Sequence, residues 1–142
     1  MGKVKNILSS KGSAVFSVEP GVTVFQAIQI MCEKNIGGLL ITDQGNLVGI
    51  FTERDYARKL ILKGKSSKDT LIRELMTENP VSVTPDSSID ECMQIMSSKR
   101  IRHLPVVVDK KPVGMISIGD VVRHIMEEQK EIIEHLEAYI SR

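Results

Sequence analysis

The apolar residues of this chain follow the same order of patterns twice. A helical stripe with spacings of three and four begins behind Thr23 and again behind Ser87 or Ser88, and two short apolar runs follow each stripe. Turn residues at 43–46 separate the first two runs, so the pattern predicts a β-hairpin behind each helix. The expected elements are a helix over 3–9, short strands over 14–18 and 81–83, helices from 24 to about 35 and from 89, hairpin strands over 38–42, 47–51, 104–108 and 113–116, one helical turn over 71–76, and helices starting at Thr52 and Ser117.

The two halves of the chain repeat one unit at an offset of 65 residues, the distance from Gly49 to Gly114. Residues 49–55 read Gly-Ile-Phe-Thr-Glu-Arg-Asp, and residues 114–120 read Gly-Met-Ile-Ser-Ile-Gly-Asp. Units of about sixty residues are marginally stable alone, so we expect the two units to pack into one body. The predicted division is an N-terminal helix or arm over 1–13, repeats over 14–63 and 76–126, a connector over 64–75, and a C-terminal helical extension over 127–142.

The last helix carries an apolar seam that continues beyond the repeat. Its members are spaced by three and four residues in alternation, which is the heptad spacing of coiled coils. They are Val122, Ile125, Gln129, Ile132, Leu136 and Tyr139. The seam predicts self-association into a homodimer, with Gln129 as a polar residue that sets the register. The alternative is that the tail folds back on its own core.

Composition narrows the classes of function. The chain is 42% hydrophobic and 26% charged with a formal net charge of +1, which argues against nucleic acid or an anionic membrane as the main partner. No apolar run approaches the roughly 20 residues of a membrane span, and the N-terminus lacks a signal-peptide pattern, so a cytosolic location is predicted. Cys32 and Cys92 lie in apolar helical patterns and are expected to be small buried residues rather than a disulfide or reactive thiols.

The repeated motif places a hydroxyl residue and a carboxylate at the start of a helix, as Thr52 with Asp55 and as Ser117 with Asp120. Free backbone N–H groups at a helix N-terminus favour anions such as phosphate. An Asp at this position is able to accept hydrogen bonds from the hydroxyls of ribose. The same residues also form a capping box, which every helix of a repeat needs. The chemistry of the motif therefore leaves nucleotide binding and simple helix capping both open.

The chain from about residue 14 to 126 resembles a pair of CBS domains, the cystathionine β-synthase type of nucleotide-sensing module. The matching residues are Met76-Thr77 with Pro80, the stretch Ile-Arg-His-Leu-Pro-Val at 101–106, and both Gly-to-Asp motifs. The resemblance implies an α/β (α+β) fold of two β-α-β-β-α units about a pseudo-twofold axis, with an extended C-terminal helix. It also implies two clefts for adenosine ligands and dimers of such pairs.

The resemblance further implies which residues form each cleft. In both, Asp would hold ribose, the hydroxyl and a cation would meet phosphate, and apolar strand residues would enclose adenine. The first cleft would use Thr52, Asp55, Ile50, Gly38, Arg102 and the strand around Val81. The second would use Ser117, Asp120, Met115, Ile36, Gly37, His103 and the strand around Phe16.

The two predicted clefts differ in charge. Arg54 and Arg102 are both expected near Asp55, whereas Gly119 stands at the position equivalent to Arg54 in the second motif. A charge-assisted hydrogen bond to phosphate contributes about 1.5 to 3 kcal/mol. We therefore predict that the Asp55 cleft binds the phosphorylated ligand more tightly.

These features predict a regulatory protein that binds AMP, ADP, ATP, NAD or S-adenosylmethionine and acts on its own dimer or on an unidentified protein partner. No catalysis, cofactor or metal is expected. One alternative is a purely structural dimerisation module with empty clefts. The other is a weak nucleotide hydrolase built on residues 52–55, which the chain does not favour because it has no glycine-rich phosphate loop and no clustered carboxylates for magnesium.

Overall fold

The computed structural model describes residues 2–141 and shows the two repeated units as similar assemblies of strands and helices. In chain order the elements are α1 (Val4–Lys11), β1 (Ser17–Val18), α2 (Val24–Lys34), β2 (Gly38–Asp43), β3 (Asn46–Thr52), α3 (Glu53–Asp55) with a π-helical continuation (Tyr56–Ile61), α4 (Ile72–Leu75), β4 (Thr77–Glu78), α5 (Ile89–Lys99), β5 (His103–Val108), β6 (Lys111–Ser117) and α6 (Ile118–Ile140). The mixed α and β architecture predicted from the sequence is confirmed.

Each unit is built around an antiparallel hairpin. In the first unit β2 pairs with β3, β1 joins β2 in parallel, and β4 joins β3 on the other side. In the second unit β5 pairs with β6. The expected strand over 81–83 is wrong, since this stretch contributes only a parallel bridge from Val83 to Val106. Both hairpins shift register at equivalent positions, after Ile41 and after Val106, so the repeat extends to the irregularities of the sheets.

Local capping chemistry sets the helix boundaries. The side chain of Thr23 accepts a hydrogen bond from the backbone N–H of Gln26, and Ser88 does the same for Glu91. Both α2 and α5 end at a residue in the left-handed conformation, Asn35 in the first unit and Arg100 in the second. The predicted helix starts are confirmed, because an oxygen-bearing side chain at the N-cap satisfies a backbone donor that the helix leaves free.

The core of each unit is completed by a helix that precedes the other unit in the chain. Val4 and Ile7 of α1 lie in the core formed by the second unit, whereas Ile72 and Leu75 of α4 lie in the core of the first. The backbone N–H of Val4 donates to the carbonyl of Ser87 at 2.9 Å, and that of Ile72 donates to the carbonyl of Val22 at 2.8 Å. The leading helices thus cross over between the units and join them into one body.

Three local expectations need correction. The first helix continues past the predicted residue 9 to Lys11. Cys32 is exposed rather than buried, whereas Cys92 is buried and its burial raises the pKa of the thiol to about 11. The helix behind Thr52 changes to π-helical hydrogen bonding from Tyr56 onward, which its apolar spacing does not reveal.

The long helix α6 does not fold back on the core. Ile125 packs against the core of the second unit, but Val122, Ile132, Leu136 and Tyr139 are exposed. The seam is therefore left uncovered within a single chain. None of the helices between residues 2 and 141 is long and apolar enough to span a bilayer.

Candidate functional site

A cavity of about 700 Å³ lies where β3 and α3 of the first unit face the segment between α5 and β5 of the second. Residues 77–81, which follow α4, form a third wall. The residues that line it are Gly37, Ile50, Thr52, Glu53, Arg54, Asp55, Arg58, Lys59, Thr77, Pro80, Val81, Lys99, Arg100, Ile101, Arg102 and His103. Of the residues predicted for the first cleft, only Gly38 is absent from this lining.

Asp55 is both a helix cap and a wall of this first cavity. Its Oδ2 accepts hydrogen bonds from the backbone N–H of Thr52 at 3.0 Å and from the Thr52 hydroxyl at 3.2 Å. Its Oδ1 pairs with the ammonium of Lys59 at 3.1 Å. The side chain of Asp55 remains 14% exposed. The capping interpretation and the pocket interpretation therefore describe the same residue, and the structure brings both roles together.

Positive charge dominates the first cavity. Six lining residues are cationic and two, Glu53 and Asp55, are anionic. The ammonium of Lys59 is already bonded within the protein, since it pairs with Asp55 and also donates to the carbonyl of Leu75 at 3.1 Å. Arg54 donates from Nη1 to the carbonyl of Arg100 at 2.9 Å and so connects the two units across the cavity. The cationic residues other than Lys59 are exposed and have side chains long enough to reach an anion in the cavity: Arg54, Arg58, Lys99, Arg100 and Arg102.

The structure places His103 and Gly37 at the first cavity, although the sequence assigned both to the second cleft. The imidazole of His103 covers Gly38, where an added Cβ would lie 3.2 Å from the ring. Gly38 itself is buried beneath this ring and does not reach the cavity. Burial lowers the pKa of His103, and the nearby carboxylates of Glu53 and Asp120 offset only part of this effect, so the ring is neutral near pH 7.

A smaller cavity, with a volume of about 160 Å³, lies between α1 and α6 beside Asp120 of the second motif. Its lining consists of Ile7, Ser10, Lys11, Asp120, Arg123, His124 and Glu127. Of the residues predicted for the second cleft, Asp120 is the one that lines this cavity. The side chain of Asp120 is 6% exposed and forms ion pairs with Lys11 at 2.8 Å and with Arg123.

The other residues predicted for the second cleft do not line this smaller cavity. Ser117 caps α6 through a hydrogen bond from the backbone N–H of Asp120 at 3.2 Å. The carbonyl of Met115 accepts a hydrogen bond from the ammonium of Lys11 at 2.9 Å. Phe16 packs with the core of the first unit, with the Lys34 ammonium 5.4 Å from the centre of its ring. Ile36, like Phe16, packs against the first core rather than the cleft.

Lys11 and Arg123, which form ion pairs with Asp120, were missed from the sequence. Arg123 had a signal, because it repeats Arg58 at the offset of 65 residues. Lys11 had none, since it comes from α1, which belongs to no repeated motif. Burial would raise the pKa of Asp120, but hydrogen bonds from Lys11 and Ser117 outweigh burial and hold the pKa below its usual value. Asp120 is therefore ionised at neutral pH.

A family model for the CBS domain matches residues 4–62 and 72–127. The chain belongs to the CBS domain family. It is 46% identical over 124 residues to the CBS domain-containing protein CBSX3, mitochondrial, of Arabidopsis thaliana, an alignment that covers 84% of this chain and 60% of CBSX3. The chain thus spans less than two thirds of that relative.

Solved structures of CBS proteins share the fold. One is a candidate signal-transduction protein with CBS domains from Burkholderia ambifaria MC40-6, at 45% identity and a TM-score of 0.85, covering 89% of this chain and 96% of that one. Another is the CBS domain pair of protein MJ0100 in complex with 5′-methylthioadenosine and S-adenosylmethionine, at 30% identity and a TM-score of 0.81, covering 90% of this chain and 98% of that one. This CBS pair is thus similar in fold to a protein that binds adenosine compounds.

Proposed function

We propose that this CBS pair is a regulatory protein that binds an anionic adenine nucleotide in the first cavity and performs no catalysis. The observation that carries the proposal is the combination of a capping carboxylate, Asp55, with a surplus of cationic side chains in one cavity of about 700 Å³. That volume lies within the range of small-molecule sites, roughly 300 to 1,000 Å³. The adenosine compounds bound by the MJ0100 pair support the choice of an adenosine ligand.

The carboxylate of Asp55 is suited to the ribose. A carboxylate offers about four lone-pair positions, of which Thr52 and Lys59 use three in the structure. One ribose hydroxyl therefore fits without any rearrangement. A second ribose hydroxyl is accommodated when the Thr52 hydroxyl turns away from Asp55. The same rotation frees the Thr52 hydroxyl for a phosphate oxygen. Ile50, Val81 and Ile101 supply the apolar surface for the base.

The charge of the cavity discriminates among adenosine compounds. S-adenosylmethionine carries a sulfonium cation and 5′-methylthioadenosine is neutral, whereas AMP, ADP, ATP and NAD carry phosphates. Arg54 comes from the first unit and Arg102 from the second, and both line the cavity, so a chain of phosphates meets cations from both units. We therefore rank ATP and ADP above AMP and NAD, and all four above S-adenosylmethionine and 5′-methylthioadenosine.

The test is calorimetric titration of the protein with each of these six compounds, repeated on Arg102→Ala. The variant is expected to lower the affinity for ATP by about 10- to 100-fold, because one charge-assisted contact worth about 1.5 to 3 kcal/mol is lost. Its affinity for 5′-methylthioadenosine should not change. Arg73→Ala is the matched control, since Arg73 is an exposed arginine outside the cavity.

Two results would contradict this proposal. Tighter binding of 5′-methylthioadenosine than of ATP would reject the phosphate assignment. Absence of heat from all six compounds, with a folded protein, would favour a purely structural module in which Asp55 acts only as a cap.

The cytosolic location also stays a prediction, because the Arabidopsis relative is named as mitochondrial.

We further propose that a second copy of this chain covers the seam on α6. The exposed fractions of Ile132, Leu136 and Tyr139 are 55%, 56% and 75%. A neighbouring column adds Met126, Ile133 and Ile140, which are 63%, 54% and 80% exposed. A helix segment of about 14 residues is marginal in water by itself, so this stripe needs a partner helix. Heptad spacing on the seam matches an identical helix.

Replacing Ile132 and Leu136 together by glutamate is expected to convert the homodimer into a monomer, because four buried carboxylates would face each other across the seam. Sedimentation equilibrium measures the mass before and after the change. The control is Glu131→Gln with Glu134→Gln, which alters exposed residues on the polar side of the helix. Equal masses for wild type and the glutamate variant would contradict self-association through α6.

A further inference from the structure

The leading helices α1 and α4 dock on the two units in the same way. Lys3, before α1, forms a bridge to Ser88, and Leu71, before α4, forms the equivalent bridge to Thr23. The correspondence between α1 and α4 continues into the helices. The backbone N–H of Val4 donates to the second unit, and the backbone N–H of Ile72 donates to the equivalent position of the first unit.

Each leading segment also packs one side chain closely against the first glycine of a repeated motif. Leu8 lies against Gly114, where an added Cβ would be 2.8 Å from Leu8 Cδ2. Met76 lies against Gly49 in the same manner. Leu8 and Met76 therefore occupy equivalent positions in the two leading segments.

Beyond that point the two segments differ. After α4 the chain extends as β4, pairs with β3, and passes along the wall of the first cavity through Pro80 and Val81. In α1 the helix continues past Leu8 for three more residues and ends at Lys11, before Gly12 with a φ of 93°. One additional helical turn thus stands over the second cleft where the first cleft has an extended strand.

That additional turn delivers a cation to the carboxylate of the second motif. The ammonium of Lys11 lies 2.8 Å from Asp120 Oδ2 and 2.9 Å from the carbonyl oxygen of Met115. Arg123 occupies the other carboxylate oxygen, Oδ1, and the backbone N–H of Ser117 also donates to Oδ2 at 2.8 Å. Asp120 thus has three donors, as Asp55 does, but one of them, Lys11, comes from α1 rather than from the helix of the motif. The side chain of Asp120 is accordingly 6% exposed, against 14% for Asp55. A ribose would have to displace the Lys11 ammonium.

We propose that Lys11 is a built-in occupant of the second cleft, so that each chain binds one nucleotide, in the first cavity, until the last turn of α1 is displaced. This inference rests on the proposed function of the first cavity. It makes Lys11 the residue that sets the number of nucleotides bound per chain. The two repeated motifs then have different roles: Asp55 receives a ligand, and Asp120 anchors α1.

The experiment counts ATP bound per chain by calorimetry. The wild type is expected to bind one ATP per chain. Lys11→Met keeps the length and packing of the side chain but removes its charge, and is expected to add a second, weaker binding event. The combined variant Lys11→Met with Asp120→Asn should lose that second event. Lys5→Met is the matched control, because Lys5 lies on the same helix and its ammonium pairs with the exposed Asp86 at 3.4 Å rather than with Asp120.

Backbone amide chemical shifts give a second readout that does not depend on heat. In the wild type, ATP should perturb residues 50–58, 77–81 and 99–103 and leave residues 8–12 and 115–120 unchanged. In Lys11→Met the perturbation should extend to 115–120. Two ATP per wild-type chain, or one per chain in Lys11→Met with no perturbation at 115–120, would overturn the inference.

The same data separate this inference from the proposed function. If the wild type binds no ATP while Lys11→Met binds one at Asp120, the assignment of Lys11 stands and the first cavity is not the nucleotide site. If neither protein binds ATP, both proposals fail. If the wild type binds two ATP, the proposed function stands and Lys11 does not close the second cleft.

Discussion

Replacing Asp55 by alanine is expected to lower the affinity for ATP at least about 100-fold. The ribose hydroxyls lose charge-assisted hydrogen bonds to the carboxylate, each worth about 1.5 to 3 kcal/mol, so the loss of two amounts to about 3 kcal/mol or more. Every 1.4 kcal/mol corresponds to about a tenfold change in the dissociation constant. Calorimetric titration with ATP measures the change directly.

The same substitution removes a helix cap, and this effect must be separated from ligand binding. Loss of the capping box and of the pair with Lys59 is expected to lower the free energy of unfolding by about 0.5 to 2 kcal/mol. Asp120→Ala removes the equivalent cap in the second unit and should leave the affinity for ATP in the first cavity unchanged. Asp55→Asn keeps a side-chain oxygen for the cap and removes the charge.

The outcomes distinguish a ligand residue from a structural one. A loss of affinity in both Asp55 variants, with none in Asp120→Ala, assigns the carboxylate charge to the ligand. Equal losses in Asp55→Ala and Asp120→Ala would show that capping, not ribose binding, accounts for the effect. Wild-type affinity in Asp55→Asn would contradict a role for the charge.

The features that the sequence predicts well are those decided by neighbours along the chain. Thr23 and Ser117 cap helices because a side-chain oxygen and the free N–H three residues later are close in any chain that starts a helix there. The hairpins follow from two apolar runs around a turn. Thr52 and Asp55 are likewise one helical turn apart, so their pairing is visible in the sequence. The resemblance to CBS domains, rather than local spacing, indicated Ile50, Val81 and Arg102 at the same cavity.

The features that the sequence did not predict depend on contacts between distant residues. Lys11 and Asp120 are separated by 109 positions, and no local pattern indicates that α1 docks on the second unit. His103 reaches the first cavity because the glycines at the start of β2 leave room for its ring. The strand expected over 81–83 depends on a partner strand, and Val83 forms only a single bridge.

Replacing Phe51 by alanine is expected to lower the free energy of unfolding by about 3 to 5 kcal/mol, the usual cost of truncating a buried phenylalanine. Phe51 is fully buried in β3, opposite Leu39 of β2, and directly precedes Thr52 of the cavity. Chemical denaturation followed by circular dichroism measures the change. Leu62→Ala, at a position 78% exposed, is the control and should alter stability by less than about 0.5 kcal/mol.

The crossed leading helices spread the loss of stability caused by Phe51→Ala over both units. Ile72 and Leu75 complete the core around Phe51, and the segment that carries them leads directly into the second unit. Val4 and Ile7 complete the second core, and they belong to α1, which precedes the first unit in the chain. Neither core is complete without the other unit's leading helix. Both units should therefore unfold in one cooperative transition, and Phe51→Ala should move that transition to a lower denaturant concentration. Two separate transitions, with the second unit as stable as in the wild type, would show that the crossover does not couple them.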